Sequence, residues 1–323
     1  MMLERLVPRF AALLATLALA IIGVQAAEVR YYDLPRGARP HDVAPDPKPG
    51  GPVWYTAQGQ GALGRLDPAS GQVVQIELGA GSAPHGVIVG PDGAPWITDG
   101  GLNAIVRVDP VTREVKRWPV AKFPAANLNT ATFDKAGMLW FTGQAGIYGR
   151  LDPASGKIET WKAPRGSGPY GIATTPAGDV YFASLTGHYI ARIDTHSGSA
   201  TPIDPPTQNA GPRRVWSDSG GRIWVSEWDA GNVGVYDPAS KAWKHWKLPG
   251  DAPRPYSVWV DEHDAVWLTD FAANAILRFD PKAQTFASFP SNQSGARVRQ
   301  MIGRAGEAWG AESGTDRLVV IRN

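Results

Sequence analysis

The chain repeats itself at intervals of 41 to 44 residues, and this constrains its fold more than any other feature. Trp54, Trp96, Trp140, Tyr181, Trp224, Trp267 and Trp309 each open a similar string: WYTA, WITD, WFTG, YFAS, WVSE, WLTD and WGAE. Twelve or thirteen residues later comes an acidic turn at Asp67, Asp109, Asp152, Asp194, Asp237 and Asp280. Pro follows the Asp in all but Asp194, and it presets the turn's φ. Nine residues beyond each of these Asp residues sits a large apolar side chain: Ile76, Trp118, Trp161, Ile203, Trp246 or Phe289. Apolar runs of four to six residues, punctuated inside every unit by Pro and Gly, exclude stacked helices.

Each unit therefore reads as four short strands. The second is predicted as 86–90, 95–98, 104–108 and 114–119. Four strands per period is the pattern of a β-propeller blade. The seventh unit supplies strands at 299–302, 308–311 and 317–321 and lacks a fourth. Residues 28–35 read as a fourth strand without a blade, since Tyr32-Asp-Leu-Pro parallels Trp246-Lys-Leu-Pro. The expectation is an all-β, seven-bladed propeller over 27–323, its last blade closed by the N-terminal strand, which removes an exposed edge.

The first 26 residues read as a signal peptide. Arg5 and Arg9 precede an apolar run from Phe10 to Val24, shorter than the roughly 20 residues that span a bilayer. Val24-Gln25-Ala26 is a small-x-small cleavage site. A periplasmic or secreted location follows, and it agrees with a chain of no Cys and 13 Trp, stabilised by packing alone. No thiol nucleophile or thiolate metal site is open to it. A net charge of +2 without basic clusters argues against nucleic acid. With the signal removed, neither a membrane nor a partner subunit is expected, and the reading is a monomer.

In a propeller, the start of each first strand and the end of each second strand should lie at the same mouth of the ring. The first-strand positions are His41, His85, Asn129, Tyr170, Arg213, Tyr256 and Arg299; the second-strand positions are Ala57, Asp99, Gly143, Ser184, Glu227, Asp270 and Glu312. Framework positions repeat their residue type, whereas these vary while staying mostly polar or aromatic, as a binding surface on a repeated frame does. The acids could equally orient amides of the loops between second and third strands.

The recurring Pro-His/Tyr-x-Val/Ile, Gly-x-Trp-Phe/Ile-Thr-Asp/Glu and Ile-x-Arg-Val/Ile-Asp segments resemble the virginiamycin B lyase (streptogramin lyase) family over 28–323. The resemblance implies a metal-assisted lyase that opens an ester of a cyclic depsipeptide antibiotic by elimination. Pro40-His41 matches the family's substrate-contacting His, and Pro84-His85-Gly86 its catalytic acid/base. Asp99, fourteen residues after His85, matches one of two magnesium-binding acids. The other acid would fall on Ala83 and is absent; Glu312 or Asp270 is the candidate replacement. By this resemblance His85 is the catalytic residue, His41, Tyr170, Arg213 and Tyr256 hold a small-molecule or peptide-like substrate, and Asp99 and Glu312 hold Mg2+. A lactonase or esterase using Asn127, Asn129, Glu227 or Asp270 around an ion, and a non-catalytic propeller binding a peptide, glycan or protein, are the alternatives.

Overall fold

In a computed structural model, residues 27–322 are described; the signal peptide expected at 1–26 lies outside them. They form seven four-stranded antiparallel sheets in a ring. The first strands, which wall the central channel, are β2 (Pro40–Pro45), β6 (Pro84–Val89), β10 (Leu128–Phe133), β14 (Pro169–Thr174), β18 (Pro212–Ser217), β22 (Pro255–Val260) and β26 (Val298–Arg304). The predicted second unit is found as β6, Pro95–Asp99, Ala104–Val108 and Val115–Pro119, within two residues of its expected bounds.

The ring closes as the sequence implies. β1 (Glu28–Asp33) pairs antiparallel with β28 (Arg317–Arg322), from Glu28↔Arg322 to Asp33↔Arg317. Tyr32 stacks on Trp309 at 5.5 Å and donates to the Pro68 carbonyl of the next blade. Asp316 then accepts from the backbone amides of Gly37 and Arg39.

The core is a set of inter-blade layers. Trp96 and Trp118 of blade two pack with Leu128, Leu139 and Phe141 of blade three. Trp140 packs likewise with Ile172, Val180 and Phe182 of blade four. A buried indole N–H needs an acceptor, and the turn before the second strand supplies it: Trp96 donates to Asp92, Trp140 to Asp134, Trp224 to Asp218 and Trp267 to Asp261. The Asp-Pro turns act locally, Asp67 accepting from the Ala69 amide and the Ser70 hydroxyl. Most Trp residues are thereby absorbed by the frame.

Candidate functional site at the channel mouth

Every blade carries an irregularity where its first strand begins. The register slips between Pro40 and Val43, Pro84 and Gly86, Leu128 and Ala131, Pro169 and Ile172, Pro212 and Arg214, Pro255 and Val258, and Val298 and Met301. Such a bulge leaves residues unpaired and turns their side chains away from the sheet's alternation. Here it brings two consecutive residues of several blades to the channel. The upper row is His41, His85, Asn129, Tyr170, Arg213, Tyr256 and Arg299; below it, Asp42, Thr130, Arg214, Ser257 and Gln300 make a second polar row that sequence reasoning missed. The bulge is invisible to periodicity, and the only sequence signal is that a second polar residue follows the mouth position in those blades.

Second-strand hydroxyls lock this rim. Thr56 accepts from the Asp42 amide and donates to the His85 carbonyl, both at 2.9 Å. Thr98 links the Gly86 amide to the Asn129 carbonyl. Thr142, Ser226 and Thr269 make the same links from Thr130, Arg214 and Ser257 to Tyr170, Tyr256 and Arg299. Each tie fixes one blade's site residue against the next.

The upper row and the pair beneath it form one hydrogen-bonded chain. Arg213 Nη2 donates to Tyr170 Oη at 3.0 Å, and the two phenols, Tyr170 and Tyr256, lie 2.5 Å apart. Tyr256 Oη is 3.2 Å from His41 Nε2, and Arg299 Nη1 is 3.3 Å from the same nitrogen. His41 Nδ1 lies 2.8 Å from Asp42 Oδ1, which fixes the tautomer that leaves Nε2 as the acceptor. Arg214 reaches across from blade five to Asp42 at 3.1 Å. The His41 and His85 rings lie 3.7 Å apart between centroids. His85 is held on both sides by Asn129: Nδ1 is 3.0 Å from its carbonyl and Nε2 3.1 Å from its amide nitrogen.

Electrostatics follow from burial and three guanidiniums. His41 is 2 % exposed and His85 7 %. Burial, with Arg299, Arg214 and Arg213 nearby, holds the His41 imidazolium far from favour, so its pKa falls well below 6.5. Burial and the neighbouring His41 lower His85 as well. Burial alone would raise the Tyr256 phenol, but Arg213, Arg214 and Arg299 outweigh it and lower its pKa; the Tyr170 phenol is raised by burial and by Tyr256. Burial raises the Asp42 carboxyl against the pull of Arg214.

The structure therefore brings together His41, His85, Tyr170, Arg213 and Tyr256, but not the second-strand acids. The bulge shifts the hairpin register so that Asp99 opposes Pro84, and Glu312 opposes Val298. Asp99 accepts from the Ala83 and Leu102 amides and the Ser82 hydroxyl. Glu312 accepts from Arg317, Ser291 and Thr315. Asp270 takes the Arg254 and Ala272 amides, and Glu227 faces His245 at 3.1 Å. These carboxylates brace loops and outer strands.

The donor set does not suit magnesium, a hard cation that takes carboxylate and water oxygens. Among the described residues, the group of three or more His and acid side chains whose donor atoms all lie within 4.8 Å of one another is His41, Asp42 and His85. That group offers one carboxylate, both of whose oxygens already face Arg214. Three arginines around it oppose a further cation.

Below the second row the channel holds a cavity of ≈ 40 Å³ lined by Asp42, Thr130 and Gln300 above and by Ile172, Trp216 and Ile302 below. Trp216 packs against the core layers of blades four to seven and lines the channel with apolar surface.

The fold and this mouth define a seven-bladed propeller with a polar site on the ring axis. The virginiamycin B lyase family matches residues 71–323, and the chain belongs to that family. Among solved structures, it is similar to a catalytically inactive virginiamycin B lyase from Staphylococcus aureus with quinupristin: TM-score 0.85, 21% identity, 92% of this chain and 100% of that one. It is also similar to a streptogramin B lyase, at TM-score 0.83, 21% identity, and 92% and 97% coverage. YCF48 bound to D1 peptide shares the fold at TM-score 0.73 and 13% identity, with 91% and 97% coverage. No curated protein matches the chain by sequence. No described helix is long and apolar enough to cross a membrane.

Proposed function

We propose that this protein is a carbon–oxygen lyase that opens an ester in a compact peptide-like substrate by proton abstraction, with arginine in the place of a metal ion. The observation that carries the reading is the environment of His41 Nε2. Asp42 orients the ring from behind, burial keeps the imidazole neutral, and Tyr256 and Arg299 converge on the same nitrogen. A carbonyl oxygen seated between those two donors would be stabilised as charge develops on it. His41 would then take a proton from the adjacent carbon. The electrons left there form a carbon–carbon double bond, the alkyl carbon–oxygen bond breaks, and the ester's acid leaves as a carboxylate. His85, both nitrogens engaged by Asn129, positions His41 by packing its tilted ring against it.

Quinupristin and simple depsipeptide lactones incubated in 18O-labelled water test this. Elimination yields an unsaturated product with no label in the released acid. Incorporated label overturns the reading in favour of a hydrolase. Tight packing of the mouth, where Tyr256 is fully buried, favours a second reading, a non-catalytic propeller that captures a peptide. Saturable binding without turnover, unchanged in His41→Ala, supports that one. Export by the N-terminal apolar segment and a monomeric, metal-free state complete the proposal.

A further inference from the structure

Positive charge partly withdrawn from water favours a negative partner, and two half-buried arginines at the mouth, Arg213 and Arg299, lack one. Among the described residues, every ion pair of 4.0 Å or less that involves the site engages Asp42; neither Arg213 nor Arg299 has a carboxylate partner. Arg299 spends its Nε on Ser313 and turns Nη1 to His41 and Tyr256. Arg213 is more isolated. Its guanidinium lies 3.7 Å from the Tyr256 ring centre, 4.5 Å from Trp228 and 4.7 Å from Tyr170. Its one hydrogen bond goes to the Tyr170 hydroxyl, and its Nε is buried with no partner. Rings hold the guanidinium in place and supply no countercharge, while its in-plane donors match the two oxygens of a carboxylate.

We infer that the mouth takes a ligand bearing a carboxylate, bound by Arg213 within its cage of Tyr170, Trp228 and Tyr256, with Arg299 adding to the field. Arg214 is excluded from this role because Asp42 already neutralises it. The ring of Trp228, edge-on to Tyr256 and Phe271, offers an apolar wall beside the charge, so an aromatic or aliphatic acid fits better than an inorganic anion. This deepens the lyase reading by giving the substrate a free carboxylate besides its ester, and it can be tested without turnover.

Benzoate and benzamide, near-isosteres that differ in charge, are titrated into the full chain by calorimetry. Benzoate is expected to bind at least about ten-fold more tightly than benzamide, and more weakly as salt is raised. Arg213→Gln should erase the difference, Arg299→Gln should reduce it, and Arg165→Gln, an exposed residue paired with Asp204, should leave it intact. Unchanged circular dichroism separates loss of binding from loss of fold. Equal binding of the two ligands, no binding of benzoate, or full retention in a folded Arg213→Gln variant overturns the inference. A carboxylate preference with no turnover of any ester overturns the lyase reading alone.

Discussion

Asp42 and Arg214 stand 172 residues apart in the chain and meet across the central channel, Arg214 Nη2 lying 3.1 Å from Asp42 Oδ1. Blades one and five are not neighbours, so this pair ties opposite walls of the ring while it also orients His41. Removing one member of a buried pair leaves the other charge unsolvated, at about 3–5 kcal/mol. Arg214→Met should therefore lower the thermal midpoint markedly, and Asp42→Asn combined with it should recover part of the loss. A double variant as unstable as the sum of the singles would show that the pair is not coupled.

The depressed pKa values of His41 and His85 make stability depend on pH. In the unfolded chain both protonate near 6.5, whereas the folded chain resists protonation to lower pH. The unfolded state thus binds more protons below that point, and folding stability falls as pH drops from about 6.5. Each His can contribute at most roughly 1.4 kcal/mol per pH unit within this window. Midpoints measured between neutral and mildly acid pH should show the decline. Replacing both with Gln should flatten the part these residues supply, and an identical profile in the double variant would rule that source out.

Tyr256 is lowered by three guanidiniums, whereas Tyr55, Tyr148 and Tyr181 are pushed up to about 12 by burial. Tyrosinate absorbance should therefore begin with a step below the ordinary value near 10. Tyr256→Phe should remove that step, and Arg213→Gln should move it upward. Persistence of the early step in Tyr256→Phe would assign it elsewhere.

Closure by β1 predicts a defined failure when it is lost. Without Glu28–Asp33, β28 presents an unpaired edge and Trp309 loses its stacking partner Tyr32. Exposed edges recruit other chains. A variant lacking 28–33 should elute as oligomers or aggregate in size-exclusion chromatography. Tyr32→Ala alone, which keeps the strand, should elute as the unaltered protein does, with a lowered midpoint.

The repeat length, the acidic turns and the orphan strand at 28–35 were enough to read the fold, because the first two are local rules restated from blade to blade and the third supplies the strand the last blade lacks. The upper row of the mouth was legible because its positions, like the second-strand ends, vary where the frame repeats. Family membership was legible from the framework segments. The magnesium site was not supported in the same way, since Asp99, at the matching distance from His85, and Glu312, the candidate replacement for the acid missing at Ala83, spend their oxygens on loop amides and Arg317.

What the sequence by itself determined is a closed ring of seven sheets, for hydrophobic period and turn chemistry act over a few residues. What only the tertiary structure decided is which side chains share the ring's axis. Alternation places Asp42, Thr130 and Arg214 on the face opposite their neighbours; a bulge in each first strand cancels that rule and sends them to the channel too. Nothing local in the chain reveals that Arg214 belongs to Asp42 or that Arg213 belongs to no carboxylate. Those relations arise when distant blades meet, and the charge balance of the mouth is set there.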